Sequence, residues 1–124
     1  MSCNIALCVV VRDNKLLLLQ RGMTAPTMPG VWSIPGGHKE EGEKLLFTAI
    51  RELKEETNLD VLAFSYVGEK TNTQGKEIKI YSFRVHDDAE VTLSYEHDDY
   101  GWFDKNDYPE NTGTISKEML ERFT

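Results

Sequence analysis

Glu52, Glu55 and Glu56 stand at i, i+3 and i+4 in the run Arg51-Glu52-Leu53-Lys54-Glu55-Glu56. On a helix, residues so spaced are surface neighbours, and like charges there repel. The same crowding suits a hard divalent cation. Mg²⁺ prefers carboxylate oxygens, keeps several waters and bridges to substrate phosphates. A bound cation reverses the local field, so an anionic substrate can approach. A diphosphate resists attack because its oxygens are negative. Metal ions neutralise that charge and lower the pKa of bound water, and a carboxylate within hydrogen-bond reach can take the proton. A plainer reading stands beside this one. Glu pairs on helices form solvated faces, Arg51 with Glu55 makes a surface ion pair contributing about a few tenths of a kcal/mol, and Gly36-Gly37 makes a tight turn.

The elements that must position these acids are legible. Glu43–Thr57 has an apolar stripe at Leu46, Ala49, Ile50 and Leu53, which is a helical repeat. Asn58 follows as a left-handed C-terminal cap. Before the helix, Asn4–Val11 and Lys15–Gln20 are apolar runs separated by Asp13-Asn14, a hairpin signal. Gly22–Gly30 reads as a loop, and Val31–Ile34 as a short strand ended by Pro35-Gly36-Gly37. After the helix, strands are expected at Val61–Val67, Glu77–Val85, Val91–Leu93 and Tyr100–Phe103. Ile115, Met119, Leu120 and Phe123 give a second, shorter amphipathic helix. This order predicts an α/β (α+β) fold, a mixed sheet covered by helices, in one domain spanning 1–124.

The chain has 124 residues, 14 Lys+Arg and 21 Asp+Glu, for a net charge of −7. That balance argues against coating a nucleic-acid duplex, which leans on Lys and Arg contacts to phosphate. It leaves small phosphorylated ligands open, held through a cation. No basic stretch precedes the apolar run Ile5–Val11, so neither a secretory signal nor a membrane span is expected. Cys3 and Cys8 would point to opposite faces if they share a strand. Two free thiols suit a reducing cytoplasm. Gly37-x₄-Gly42 is followed by Glu43 where a P-loop has Lys, so phosphates would meet metal rather than a lysine cradle.

Gly37, five residues, Glu43, seven residues, then Arg51-Glu52-apolar-x-Glu55-Glu56 resembles the Nudix box, here Gly37 to Leu59. Six fixed types at about 5–10% usage each arise by chance in well under about one chain in ten thousand. Gln20-Arg21, the run Trp32–Gly37, and Tyr95-Glu96-His97 followed by Trp102-Phe103 resemble the family's flanks. Asn58 stands where the family has glycine, and touches no acid.

The resemblance to MutT-like members implies a Nudix α/β/α sandwich around a central mixed sheet. It implies hydrolysis of a nucleoside diphosphate linked to another group, with Mg²⁺ as cofactor and Mn²⁺ able to substitute. Glu55 and Glu56 would be metal ligands, with the Gly36 carbonyl. Glu52 would be a ligand or the general base, and Glu96 a further ligand or the second choice of base, on a mobile loop. Arg51 would serve catalysis by holding the carboxylates. Gly37 and Glu43 would support the metal site. Arg21 is a candidate phosphate contact and Asn111 a candidate base reader, against surface or turn roles. Trp32, Tyr81 and Phe83 read as core, and His38 and His97 as solvated. A short chain favours nucleoside triphosphates giving monophosphate and pyrophosphate. Sugar nucleotides such as ADP-ribose, dinucleoside polyphosphates, a non-hydrolysing nucleotide sensor and an unrelated Ca²⁺-binding or interaction domain are the alternatives. The expected setting is the cytoplasm, with a nucleotide as partner, no duplex, no membrane, and a monomer or homodimer.

Overall fold

A computed structural model describes residues 3–124; Met1 and Ser2, at the N-terminus read above, lie outside the described residues. In chain order the elements are β1 (Ile5–Arg12), β2 (Lys15–Arg21), β3 (Trp32–Ser33), β4 (Gly36–His38), α1 (Leu45–Thr57), β5 (Ala63–Thr71), β6 (Glu77–Arg84), β7 (His97–Phe103) and α2 (Thr114–Phe123).

The sheet is mixed. β1 runs antiparallel to β2 and β4 and parallel to β6, while β5 pairs antiparallel with β6 and forms an edge. β2 also pairs with β3 and β7. The β1–β2 turn works as its residues predict: Asp13 and Asn14 both adopt positive φ, 53° and 62°, the backbone a two-residue hairpin of matching twist requires.

Both faces of β1 and β2 are buried, which explains why they read as continuous apolar runs rather than alternations. On one face, Ala6, Cys8, Val10, Leu17 and Leu19 meet Ala49 and Leu53 of α1. On the other, Ile5, Val9, Leu16 and Leu18 meet Met119 and Leu120 of α2. One helix per face makes the α/β/α sandwich. Tyr81 and Phe83 lie in the α1-side core as expected. Trp32 is half-buried and sets its ring edge-on to Phe103, with centroids 5.4 Å apart.

Several boundaries differ from expectation. Helix α1 begins at Leu45, because Glu43 turns its carboxylate back to accept from the Glu40 N–H instead of joining the helix. Val91–Leu93 is not a strand. It is pinned to the end of α1, where Thr57 O accepts from the Thr92 N–H, and it buries Val91 and Leu93 without a lateral partner. The strand expected at Val61–Val67 is Ala63–Thr71, and Tyr100–Phe103 extends back to His97. Gly36–His38, read as a break, pairs with β1 as a short strand. Cys3 precedes β1, so the two cysteines do not share a strand; both are free thiols, and Cys8 donates to Ala49 O of α1 at 3.3 Å.

Candidate active site

Strand β4 lies under α1, and two glycines allow the approach. At Gly36, φ is 152°, and a Cβ would fall 2.3 Å from Ala6 O. At Gly37, a Cβ would fall 2.5 Å from the carboxyl carbon of Glu52. The Glu52 carboxylate thus rests on bare backbone, and any side chain at 37 would displace it. One turn further along α1, Glu56 is buried, and its Oε1 accepts from the Gly36 N–H at 3.0 Å. Asn58 then ends the helix in the left-handed conformation, with φ 62° and ψ 16°.

Arg51 organises the acids. Its Nε donates to Glu43 Oε2 at 2.9 Å and its Nη2 to Glu43 Oε1 at 3.0 Å, a bidentate pair. Nη1 donates to Glu52 at 2.9 Å and to Glu55 at 3.3 Å, and Nη2 also donates to the His38 carbonyl at 3.1 Å. These partners occupy the guanidinium, which ties Glu43, Glu52 and Glu55 together. Glu43 also accepts from the Thr48 hydroxyl at 2.7 Å. The Arg51 hydrogen bonds, then those of the Glu40 N–H and Thr48, hold the Glu43 carboxyl down at about 2. Thr48 escaped notice in the sequence because a threonine inside a helical run carries no signal of its own.

Glu56 behaves in the opposite way. Burial, with the carboxylates of Glu52 and Glu96 facing it, pushes its pKa up to about 8, against the opposing pull of the Gly36 N–H and Arg21. Burial also raises Glu52, partly offset by Arg51. The pocket therefore holds more acid than its own cations neutralise. The carboxylates of Glu52, Glu56 and Glu96 that face one another there are hard oxygen donors, the kind a hard divalent cation takes. Among the described residues, no three acidic or thiol or imidazole side chains are arranged to hold a metal as they stand. Arg51 engages Glu52 and Glu55, and Glu55 is the more exposed of the two.

Glu96 is brought to the same place. Its loop is tied on both sides: Ser94 N–H donates to Glu56 O, and Gly22 N–H donates to Glu96 O. A cleft of about 270 Å³ is lined by Arg21, Glu56, Glu96, His97 and Asp98. Arg21 is held there by Thr27, whose carbonyl accepts from Nε at 2.8 Å. His97 begins β7 rather than standing free in solvent, and burial lowers its pKa.

Asn111 is elsewhere. It lines a cavity of about 500 Å³ on the α2 side, and its Nδ2 donates to Gly30 O at 3.2 Å. The cavity draws on β1, β3, β4, the loop at 27–28, the β5–β6 turn and the start of α2. So many separate segments leave no local trace in the sequence. Thr27 joins the two recesses, lining the cavity while it holds Arg21, and His38 lines the cavity while its carbonyl accepts from Arg51.

Comparisons with known proteins give the family. An m7GpppN-mRNA hydrolase of Xenopus laevis is 42% identical over 62 residues, covering 50% of this chain and 21% of that protein, so the chain spans about a fifth of that relative's length. The CTP pyrophosphohydrolase of Escherichia coli is 28% identical over 95 residues, covering 76% of this chain and 70% of that protein. The crystal structure of a MutT Nudix hydrolase from Burkholderia pseudomallei superposes with a TM-score of 0.80 at 23% identity, covering 100% of both chains. Residues 3–123 match the model of the NUDIX domain, and the chain belongs to the Nudix family.

Proposed function

We propose that this protein is a divalent-metal-dependent pyrophosphohydrolase whose substrate is a nucleoside triphosphate or modified nucleotide, cleaved to monophosphate and pyrophosphate. The observation that carries the reading is the junction at Arg21 and Thr27. It sets an oxygen-rich, over-acidic cleft beside a cavity of about 500 Å³, within the range that holds small organic ligands. A nucleotide has the matching two-part form, a neutral nucleoside and a charged phosphate chain.

Nudix hydrolases generally use divalent metal ions. Mg²⁺ held by Glu52, Glu55, Glu56 and Glu96, with the Gly36 backbone, would neutralise phosphate charge and acidify bound water. The Gly36 group that Glu56 engages is the N–H, which leaves the carbonyl as the metal-facing donor of this reading. Glu52, a ligand or the general base, is the first candidate to take the proton from the attacking water, and Glu96 the second. Gly37 gives Glu52 its seat, and Arg51, clamped by Glu43, fixes Glu52 in reach. Arg21 meets a substrate phosphate, and Asn111 reads the nucleoside. The named activity of the E. coli relative, CTP pyrophosphohydrolase, is in keeping with this substrate class.

The test is hydrolysis of a nucleotide panel with Mg²⁺ and with Mn²⁺, including ADP-ribose and dinucleoside polyphosphates, with products identified by chromatography. Monophosphate and pyrophosphate from a triphosphate are expected. Glu56→Gln or Glu52→Gln should lower kcat by about 10²–10⁴-fold while the circular dichroism spectrum stays unchanged. Intact nucleotides at every metal concentration would sink the assignment, and preferential cleavage of ADP-ribose would move it to sugar nucleotides.

A further inference from the structure

The cavity of about 500 Å³ runs across the sheet on its α2 side, over Ile5 and Leu7 of β1. At one end it meets Asn111 and Thr27, and Thr27 holds Arg21. At the other it meets the turn between β5 and β6, with Thr71, Gln74 and Lys76 in its wall. In the strand order β3-β2-β1-β6-β5, these two ends lie on opposite sides of β1. A nucleotide whose phosphates lie at Arg21 therefore carries the base edge remote from its sugar towards the turn. This placement rests on the function proposed for the cleft.

The far end is built to present one positive charge. Gly75 takes a φ of 77°. Asn72 Oδ1 accepts from the N–H groups of Gln74 and Lys76, both at 2.9 Å, and Asn72 N–H donates to Lys76 O at 2.9 Å. The backbone at Lys76 is thereby fixed. Two side chains of formal charge line the cavity, Lys76 and Glu118. Glu118 is taken by Lys70, which ties β5 to α2 at 2.8 Å. Lys76 enters no ion pair among the described residues. Its charge is therefore left to an occupant, in a chain whose net charge is −7. An ammonium donates hydrogen bonds and accepts none. Facing a base, it is satisfied by a carbonyl oxygen and opposed by an amino group. Guanine and thymine carry a carbonyl oxygen on the edge remote from the sugar, as does uracil, whereas adenine and cytosine carry an amino group there.

We propose that Lys76 is a specificity-determining residue that selects nucleotides whose base carries a carbonyl oxygen on that remote edge over nucleotides with an amino group there. Inosine and adenosine nucleotides test it, because the two purines differ on this edge, with oxygen in one and amino nitrogen in the other. Wild type, Lys76→Met and Lys76→Arg are compared in hydrolysis of the two triphosphates with Mg²⁺, and in calorimetric binding of the two monophosphates in a chelator. Wild type should favour the inosine form in both assays. Lys76→Met should lower the inosine-to-adenosine ratio of kcat/KM about tenfold, through KM, the loss expected for one charged hydrogen bond. The ratio of affinities should fall with it, and Lys76→Arg should keep both ratios. Ratios unchanged in Lys76→Met overturn the proposal. An equal loss on both nucleotides also overturns it, and gives Lys76 to the phosphates. If neither triphosphate is cleaved while the binding preference and its loss in Lys76→Met remain, the hydrolase reading falls and the role of Lys76 stands. Neither cleavage nor binding of either form overturns both.

Discussion

The two recesses of this protein lie side by side but are made of opposite materials. The cleft at the end of α1 is lined by Glu56, Glu96, Asp98 and Arg21. The larger cavity, towards α2, is lined mostly by neutral side chains such as Ile5, Val31, Ser33 and Asn111. In the first, Glu56, Asp98 and Arg21 are each placed by a close hydrogen bond. In the second, shape is decided by where separate loops come to rest. The difference teaches that the acids of α1 are set by a short piece of chain with Arg51 at its centre, whereas the cavity is assembled from many pieces, so substitutions should act differently on the two sides.

The largest expected effect concerns Glu56. Its pKa in the folded protein is about 8 against an ordinary 4.5. Between those values the folded protein holds a proton that the unfolded chain has lost. The stabilisation is complete below pH 4.5 and disappears as pH rises through 8. The metal-free protein should thus lose on the order of a few kcal/mol between pH 5 and pH 8.5, measured by urea unfolding in a chelator. Glu56→Gln should flatten that loss, and Mg²⁺ should restore stability at high pH, because metal ligation uses the ionised form. A stability that rises over this range would show that burial does not govern Glu56.

Next in size is a pair of glycine substitutions, one on each side. Gly37→Ala puts a methyl 2.5 Å from the Glu52 carboxyl carbon. Moving a reacting group by about 1 Å can cost about 10²-fold, and that fall in kcat is expected. At Gly113, beside the cavity, the nearest contact to a new Cβ is Trp32 O at 3.8 Å, and φ is −63°. Gly113→Ala should leave kcat within about twofold. Equal effects at the two positions would mean that the two recesses tolerate substitution alike.

The smallest effect falls on the cavity side. Asn111→Ala removes one neutral hydrogen-bonding group, a loss of about 1 kcal/mol. KM for the preferred nucleotide should rise about fivefold with kcat unchanged. A fall in kcat at constant KM would place Asn111 with the chemistry instead.

The acids of α1 are legible because they sit close together in the chain. Glu52, Glu55 and Glu56 are ordered by helical spacing, and Asn58 ends the helix as its type suggests. The duty of Arg51 was readable as ion pairing, but its bidentate hold on Glu43 was not, because it depends on Glu43 staying outside the helix. Strand β4 was misread as a break because two glycines after a proline have turn composition, and only pairing with β1 makes them a strand. Val91–Leu93 was misread as a strand because apolar side chains that cap a core give the same pattern as those of a sheet.

By itself, the sequence determined the order of elements, the two buried hairpin strands and the helix that carries the acids. These follow from periodicity and turn residues, which act over a few positions. Tertiary structure alone decided that Gly37 must be bare beneath Glu52, that Glu56 loses its water, that the Glu96 loop is tied to α1 and to Gly22, and that a cavity opens beside Arg21. Each depends on distant segments meeting, and burial, which sets both pKa and close contact, exists only once they have met.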